Sequence, residues 1–503
     1  MSKSMVQQMF GQSALFMLGT AVTVVGGFLL KIFVTNHLGA EGYGVFTAFE
    51  TAVGVLILFA GLAMGETVLR FAPQHVARGE LLTLRRCLRS AFRAVTIATM
   101  ATCALWAIGI DTGFWSAAFS IPAEWMWLGW IFIALIPLQV ISGIGASLLR
   151  SFGLVSQVVK TTQLNQIVVR IVLVGVALSF GFGLPGYVAA VVLSTGVMAL
   201  FLGRHIHRQL QRLPQSDAQT AVEGVVQWRA YTVNRFSASL VTLVQRPLCR
   251  LLIARFGGMQ ALGVLAIVEA LISLPQLILQ ALLMVITPMF SASWAEHGRD
   301  KTQYLYTVST DWISRIGLPL ILFMWMYGEP LLALYGESFS QLGQGALQIL
   351  LIGQVVTLVT GPIGYLLIMC GQERAIFRME VEAAILVALL LAAFTPLWGL
   401  NGAAAALASG QCYGNLKPLW IARKNLQITW WSSRYWGWAL GCVSSVVVGA
   451  ATQIFWPQLS GAWLLAPLLA MFITFLVAPL LLLGVQEEDR WVLEMARNRL
   501  LRR

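Results

Sequence analysis

The sequence predicts an all-α, polytopic membrane protein with about fourteen transmembrane helices. The chain has 503 residues, of which 58% are hydrophobic and 11% are charged. A soluble globular domain carries roughly 25% charged residues, so this composition excludes an ordinary soluble protein. Apolar runs of about 20 residues, the length that crosses a hydrocarbon core about 30 Å thick, recur along the whole chain.

The predicted helices are separated by tight turns and by longer, basic connections in alternation. The first apolar run, 13–34, is too long for the core of a signal peptide and is assigned as the first helix. GFGLPG at 181–186 is one of the tight turns, and 204–235 is the longest basic connection. The predicted spans lie near 12–36, 43–71, 91–110, 125–149, 164–182, 186–203, 236–255, 262–289, 313–334, 342–370, 380–397, 401–421, 435–456 and 463–484.

The basic residues indicate the orientation of this predicted bundle. All but five of the 33 lysines and arginines fall in or beside the connections that share one side with both termini. By the positive-inside rule, that side and both termini are cytoplasmic. The net charge of +12 therefore reports topology rather than nucleic-acid binding, and the basic loops are also suited to anionic lipid headgroups. The five exceptions are Lys31, Arg170, Arg246, Arg250 and Arg255.

An internal repeat relates the two halves of the chain. An offset of 219 residues aligns KIFVTNHLGAEGYGVFTAFE at 31–50 with RLLIARFGGMQALGVLAIVE at 250–269. Chance similarity between two hydrophobic hairpins is the alternative, but both charges and both glycines coincide. The aligned pairs are Lys31 with Arg250, Gly39 with Gly258, Gly44 with Gly263, Val45 with Val264 and Glu50 with Glu269.

The repeat predicts two pseudo-symmetric six-helix lobes with a substrate cavity between them, an arrangement known among transporters. Two further helices and an amphipathic cytoplasmic tail complete the chain. The predicted division is an N-terminal lobe at 1–203, an inter-lobe loop at 204–235, a C-terminal lobe at 236–421, two extra helices at 422–484 and the tail at 485–503.

Charged residues inside the predicted spans are the candidate site, because each costs roughly 2.5–3.5 kcal/mol on insertion scales. Two interpretations remain open for the repeated charges. Lys31 with Glu50, and Arg250 with Glu269, either form structural ion pairs within their hairpins or line a water-filled cavity between the lobes. The candidate substrate-binding cations are Arg246, Arg250 and Lys31, and the candidate acids or ion-pair partners are Glu50 and Glu269.

Arg246 is the strongest candidate for a cavity role. It lies one helical turn before Arg250 on the same face, and the following Pro247 predicts a break or kink in the helix. Arg170 lies nearer the cytoplasmic end of its helix, where either snorkelling or a cavity position is open. Polar residues that follow Glu269 on one helix face are Ser273, Gln276 and Gln280. Gln354 and Thr357 could face the cavity or bond to a neighbouring helix.

Four cations against two acids within the spans favour an anionic ligand, because guanidinium groups bind phosphate oxygens in charge-assisted pairs. The sequence contains no GxxxxGK[ST] loop, HExxH or GxSxG motif, and the turns on the acidic side are too short for a catalytic domain. A carrier without a cofactor is therefore expected rather than an enzyme. His205 and His207 have no companion ligands, and the six cysteines lack ligand spacing, so no metal site is expected.

The first hairpin resembles a known family. LGAEGYGVF at 38–46, with fourteen spans in two lobes plus two helices, is similar to the polysaccharide-transport branch of the multidrug/oligosaccharidyl-lipid/polysaccharide (MOP) exporter superfamily, which includes the O-antigen-unit flippases. The resemblance implies a bacterial inner-membrane flippase for a polyprenyl-(pyro)phosphate-linked oligosaccharide, working by alternating access. It also implies cavity cations, for which Lys31, Arg246 and Arg250 are the available positions.

Two other functions compete with that expectation. An ion-coupled multidrug antiporter of the same superfamily would use Glu50 or Glu269 to bind the coupling ion. A non-transporting partner of a polysaccharide polymerase is the third class. The expected partners of a flippase are the lipid-linked oligosaccharide, membrane lipids and other assembly proteins such as the polymerase, with no nucleic acid.

Overall fold

The computed structural model describes residues 3–78, 80–211, 222–457 and 459–483, and these residues form helices without any β-strand. Helical segments lie over each of the fourteen predicted spans, and four of the spans (43–71, 125–149, 313–334 and 342–370) are interrupted and so divided between two or more such segments. The predicted all-α polytopic fold is therefore confirmed.

The helices are numbered here in chain order. The first half of the chain contains α1 Lys3–Gly61, α2 Met64–Ala77, α3 Leu81–Asp111, α4 Phe114–Phe119, α5 Leu128–Phe132, α6 Leu135–Ser151, α7 Val155–Val158, α8 Gln166–Ser179 and α9 Gly183–Gln211. The second half contains α10 Val222–His297, α11 Arg299–Met326, α12 Gly328–Ala333, α13 Glu337–Thr360, α14 Ile363–Met369, α15 Glu373–Ile421, α16 Trp436–Phe455 and α17 Leu465–Leu483. A π-helical segment, Val159–Asn165, joins α7 to α8.

Ten helical ranges among the described residues are long and apolar enough to cross a membrane. Three of them are long enough to hold two predicted spans each: Gly19–Val76, Arg246–Leu283 and Glu373–Leu426. Helix α11 is not among the ten, because its first half is polar. The chain is a multi-pass membrane protein.

Three long helices contain a sharp break at a glycine. Gly39 in α1 has φ 67° and ψ 179°, and Gly258 in α10 has φ 79° and ψ 178°. These dihedrals are accessible almost only to glycine, which has no Cβ. Gly399 divides α15 in a similar way. The backbone keeps helical dihedrals at Pro247, so the helix does not break there, and the break in α10 is eleven residues later. A kink at Pro247 remains a prediction.

The chain divides into two compact units. The first comprises Met1–Ala266 and Val387–Ala403, and the second comprises Ile267–Leu386 and Ala404–Arg503. Aromatic packing holds the first unit: Phe49 stacks on Phe132 with ring centroids 5.0 Å apart, and the buried Trp106 donates a hydrogen bond to the carbonyl of Gly129 at 2.8 Å. The predicted lobe boundaries remain a prediction.

The second unit has its own apolar core and includes the two extra helices. Phe290, Tyr306 and Leu366 are fully buried in one cluster. Helices α16 and α17 pack on each other and on α11. The Tyr327 hydroxyl donates a hydrogen bond to the carbonyl of Gly449 in α16 at 3.0 Å. The predicted amphipathic tail at 485–503 and part of the inter-lobe loop lie outside the described residues.

Candidate substrate-binding region

The two copies of the repeat meet in direct backbone contact within the first unit. A Cβ added to Gly44 would overlap the carbonyl oxygen of Met259, and one added to Gly263 would overlap the carbonyl oxygen of Ala40. The same added atoms would lie 3.1 Å and 2.9 Å from the backbone nitrogen of the opposite glycine. Equivalent residues of the two copies thus face each other, and the contact requires that both be glycine.

The charges lie at matching positions around the two glycine breaks. In the first copy, Lys31 precedes Gly39 by eight residues and Glu50 follows it by eleven. The second copy repeats both spacings around Gly258. At 1.5 Å per residue, each cation lies about 12 Å and each acid about 16 Å from its break. In each copy the cation is therefore closer to the break than the acid is.

Arg250 makes a hydrogen bond across to the first copy. Its Nη1 donates to Thr51 Oγ1 at 3.2 Å, and the Thr51 hydroxyl donates to the carbonyl of Thr47 at 2.7 Å. Thr51 is buried and adjoins Glu50 in sequence. The guanidinium of the second copy therefore lies beside the acid-bearing turn of the first, a relation that neither predicted hairpin pair anticipated.

The other candidate charges of the first unit differ in exposure. Arg246 and Glu50 are exposed, whereas Lys31 and Arg250 are partly buried. Exposed charges in a membrane-spanning helix require water or a polar ligand beside them. The ion pairs predicted between Lys31 and Glu50, and between Arg250 and Glu269, remain predictions.

Arg170 of α8 is bound to the neighbouring helix α9. Its Nε donates to Ser194 Oγ at 3.2 Å and its Nη2 donates to Thr195 Oγ1 at 3.3 Å. Both hydroxyls are buried. These bonds direct the guanidinium toward α9. Arg170 therefore has specific partners on the neighbouring helix instead of extending freely to the membrane interface.

The remaining candidates belong to the second unit. Glu269 and Gln276 are partly buried, and Gln280 is exposed. All three lie on the segment of α10 that follows the break at Gly258. Their predicted cavity roles remain predictions.

Gln354 and Thr357 bond to a neighbouring helix. Gln354 is fully buried, and its Nε2 donates to Gln411 Oε1 at 3.4 Å. Asn415 Nδ2 donates to Thr357 Oγ1 at 3.0 Å. These bonds join α13 to the second half of α15, so the interhelical interpretation accounts for both residues.

Asp311 is a buried acid that was not predicted from the sequence. The prediction placed it in a loop, but α11 begins at Arg299, so Asp311 lies within the helix with 1% of its surface exposed. Arg315 Nη2 pairs with its Oδ2 at 2.8 Å, and Trp438 Nε1 of α16 donates to its Oδ1 at 2.9 Å. The i, i+4 spacing of an acid and an arginine was the available signal. The Asp311–Arg315 pair has no net charge, so the spans still contain more cations than acids. Through Trp438, Asp311 also fixes α16, one of the two additional C-terminal helices.

No group of three or more His, Cys, Asp or Glu side chains that could hold a metal is found among the described residues. His207, part of the HIH sequence, is hydrogen-bonded to Gln211 at 2.9 Å. The chemistry available in the candidate region is therefore charge and hydrogen bonding from arginine, lysine and carboxylate side chains.

This architecture matches solved membrane transporters. The structure "Lipid II flippase MurJ, inward closed conformation" matches with a TM-score of 0.71 and 12% identity, over 93% of this chain and 98% of that chain. An inward-facing multidrug resistance MATE family transporter of the MOP superfamily matches with a TM-score of 0.59 and 14% identity, over 81% and 95%. A mutant of the Vibrio cholerae MATE transporter VcmN matches with 0.56 and 12%, over 86% and 99%. The fold is thus that of a transporter.

A sequence-family match adds to the fold. Residues 125–343 match the family of polysaccharide biosynthesis proteins. No curated protein matches the sequence significantly. These matches agree with the resemblance carried by LGAEGYGVF: the fold is similar to that of solved MOP-superfamily transporters, and residues 125–343 match the polysaccharide biosynthesis family.

Proposed function

We propose that the protein is a flippase that moves a polyprenyl-(pyro)phosphate-linked oligosaccharide across the bacterial inner membrane, with both termini in the cytoplasm. The observation that carries the proposal is the polysaccharide biosynthesis match at 125–343 within a fold that resembles a lipid II flippase over 93% of the chain. The MATE match covers 81% of the chain. The polysaccharide biosynthesis match, rather than the shared fold, favours a lipid flippase over a drug antiporter.

The charges of the duplicated hairpins suit a phosphate-bearing lipid. Arg246 and Arg250 lie one turn apart, so their guanidinium groups can address adjacent phosphate oxygens. Lys31 of the first copy adds a third cation. It lies as far from the break at Gly39 as Arg250 lies from the break at Gly258. Glu50 pairs with these cations when the substrate has left, which prevents the phosphate from being held permanently.

The glycine contact supplies a closure for the transport cycle. Gly44 and Gly263 bring the two hairpins together at the end opposite the basic connections. Alternating access requires this contact to open when the substrate is released to the far side and to re-form afterwards. No side chain stands between the two backbones at Gly44 and Gly263, but opening the contact also separates Arg250 from Thr51, whose hydrogen bond joins the two copies.

Reconstituted flipping tests the proposal directly. Purified protein in proteoliposomes should translocate a fluorescent polyprenyl-pyrophosphate oligosaccharide without any other protein. Arg246→Ala should abolish flipping, because it removes the cation best suited to the phosphate. Arg255→Ala is the matched control: it removes an arginine of the same helix, also exposed, only three residues before Gly258. Flipping by Arg246→Ala at the wild-type rate would contradict the assigned role.

The competing functions give distinct results. Failure of the wild-type protein to flip the lipid unless a polymerase is present would favour the non-transporting partner. Sensitivity of a deletion strain to cationic dyes, with normal surface polysaccharide, would favour the ion-coupled multidrug antiporter.

A further inference from the structure

A cavity of about 660 Å³ in the first unit lies between the start of α2, the first half of α3 and the start of α10. Four of its lining residues are arginines: Arg86, Arg89, Arg93 and Arg229. No carboxylate is among the described residues that line it. The cavity is therefore a concentrated positive site, separate from the charges of the duplicated hairpins.

The spacing of the arginines places three of them together. Arg86, Arg89 and Arg93 follow i, i+3 and i+7 on α3, which is one face of a helix. Arg229 approaches from α10, and its Nη2 lies 3.5 Å from Ser90 Oγ of α3. Like charges at such spacing repel one another, so an anion bound among them is favoured.

Neighbouring arginines have partners outside the cavity. Arg235 forms an ion pair with Glu66, and the Arg70 guanidinium lies 4.4 Å from the ring centroid of Tyr231. The chain thus places a carboxylate and an aromatic ring beside these two cations, one or two turns from the cavity, whereas no carboxylate is among the described residues that line the cavity itself.

The walls of the cavity are held by specific contacts. Trp228 Nε1 donates to Met64 Sδ at 3.4 Å and the Trp228 ring stacks on Phe71 at 5.7 Å. The hydroxyls of Thr67 and Thr232 are hydrogen-bonded at 3.1 Å, and both residues are buried. The start of α10 is therefore fixed on α2, and the cavity does not need a ligand to form.

The position of Arg93 along α3 corresponds to the lipid headgroups. Eighteen residues separate Arg93 from Asp111 at the opposite end of α3. At 1.5 Å per residue this is about 27 Å, close to the thickness of the hydrocarbon core of a bilayer. With Asp111 at one interface, Arg93 and Arg89 lie at the other, where phospholipid phosphates are found.

An apolar path leads from these arginines into the membrane region. Ile97 and Met100 follow Arg93 at i+4 and i+7, and they are 69% and 67% exposed. Met100 also lines a second, largely apolar cavity of about 300 Å³ between α3 and α6. Cationic residues followed by exposed apolar side chains and a groove match a phosphate headgroup followed by an acyl chain.

We propose that this cavity binds an anionic phospholipid of the surrounding bilayer, with its phosphate on Arg89 and Arg93 and an acyl chain along Ile97 and Met100. The shared chemistry is a lipid phosphate, which a polyprenyl phosphate also carries. Basic pockets between transmembrane helices hold anionic headgroups in this way. The site is independent of the proposed flippase substrate.

Native mass spectrometry of the full-length protein in detergent tests the proposal. Titration with phosphatidylglycerol should give at least tenfold tighter binding than titration with phosphatidylcholine. The variant Arg89→Gln/Arg93→Gln should weaken phosphatidylglycerol binding about thirty-fold, as expected for two surface-level arginines. Arg89→Lys/Arg93→Lys should keep most of the binding, because the charge is retained.

A matched control has the same charge change at the same spacing. Arg374 and Arg378 are exposed, four residues apart, and lie at the start of another long helix, α15. Arg374→Gln/Arg378→Gln should leave phosphatidylglycerol binding unchanged. If Arg89→Gln/Arg93→Gln does not fold, Ala94→Trp provides a second test. Ala94 lines the cavity and is exposed, so the indole fills the cavity while all four arginines remain.

Four results would overturn the proposal. Unchanged phosphatidylglycerol affinity in the cavity variant would do so, and an equal loss in the control would indicate general surface charge. Tenfold preference for undecaprenyl phosphate over phosphatidylglycerol, lost in the same variant, would assign the cavity to the transported lipid. Competition by millimolar inorganic phosphate alone would assign it to a free anion.

Discussion

The two copies of the repeat share a backbone and differ in their charges. Both copies break at a glycine with nearly identical dihedrals, and both provide the glycine that lets the backbones touch. Arg246, however, has Gly27 as its counterpart, and Thr51 has Ala270. The second copy thus has a cation that the first lacks, and the first has a hydroxyl that the second lacks.

This difference helps to distinguish residues that maintain the fold from residues that contact the substrate. A duplicated feature is required wherever the same turn and the same contact are built twice. A feature found in one copy has no such symmetrical reason and needs an explanation of its own. For Thr51 this is the hydrogen bond from Arg250, and for Arg246 we infer a substrate contact. Arg246 is the clearest instance, which is why we assign it to the substrate phosphate rather than to the scaffold.

The largest effect is expected at the glycine contact. Gly44→Ala or Gly263→Ala places a Cβ on a backbone carbonyl, which cannot move aside as a flexible side chain could. Either variant should lower the thermal unfolding midpoint in detergent, consistent with a cost of about 3 kcal/mol, and should abolish transport. Gly54→Ala, on the same helix with no atom within 4 Å of the added Cβ, is the control. Normal stability of both contact variants would refute the contact.

The glycine breaks should respond equally to substitution. Gly39→Ala and Gly258→Ala force a Cβ into dihedrals that essentially only glycine adopts, at about 1–3 kcal/mol each. Thermal unfolding of the two single variants should therefore give similar losses. A large loss at one position and none at the other would show that the copies do not share this turn.

A smaller effect is expected at the hydroxyl found in one copy. Thr51→Val keeps the shape but removes the acceptor for Arg250, so we expect a loss of about 1 kcal/mol. Thr47→Val, one turn earlier, removes only a bond within its own helix, to the carbonyl of Tyr43. Detergent unfolding should distinguish the two variants. Equal losses would mean that the Arg250 bond adds nothing measurable.

The smallest effect is expected at Gly27, the counterpart of Arg246. Nothing lies within 4 Å of an added Cβ, and a helical Gly→Ala change gains roughly 0.5–1 kcal/mol from the unfolded state. Gly27→Ala should leave transport unchanged and stability equal or slightly higher. Loss of flipping in this variant would contradict the view that the first copy contributes no substrate contact there.

Much of the fold could be predicted because each helix must cross the membrane by its own apolar length. All fourteen spans were recognisable, and the repeat located Gly39 and Gly258 as equivalent positions. The α11 boundary was less predictable: Asp311 is buried inside the helix, where it pairs with the partly exposed Arg315, so the two charges resembled a loop. Pro247 was expected to interrupt α10, but the backbone dihedrals remain helical there.

The sequence by itself determined the class of protein, the number of spans and the charges that needed explanation, because composition and periodicity depend on local chain properties. Only the tertiary structure decided which residues meet. It brought Gly44 to Gly263, Arg250 to Thr51 and Trp438 to Asp311, pairs that are more than 120 residues apart in the chain. It also gathered arginines of α3 and α10 around one cavity. Such contacts depend on how helices pack, and side-chain spacing along a single helix does not report that packing.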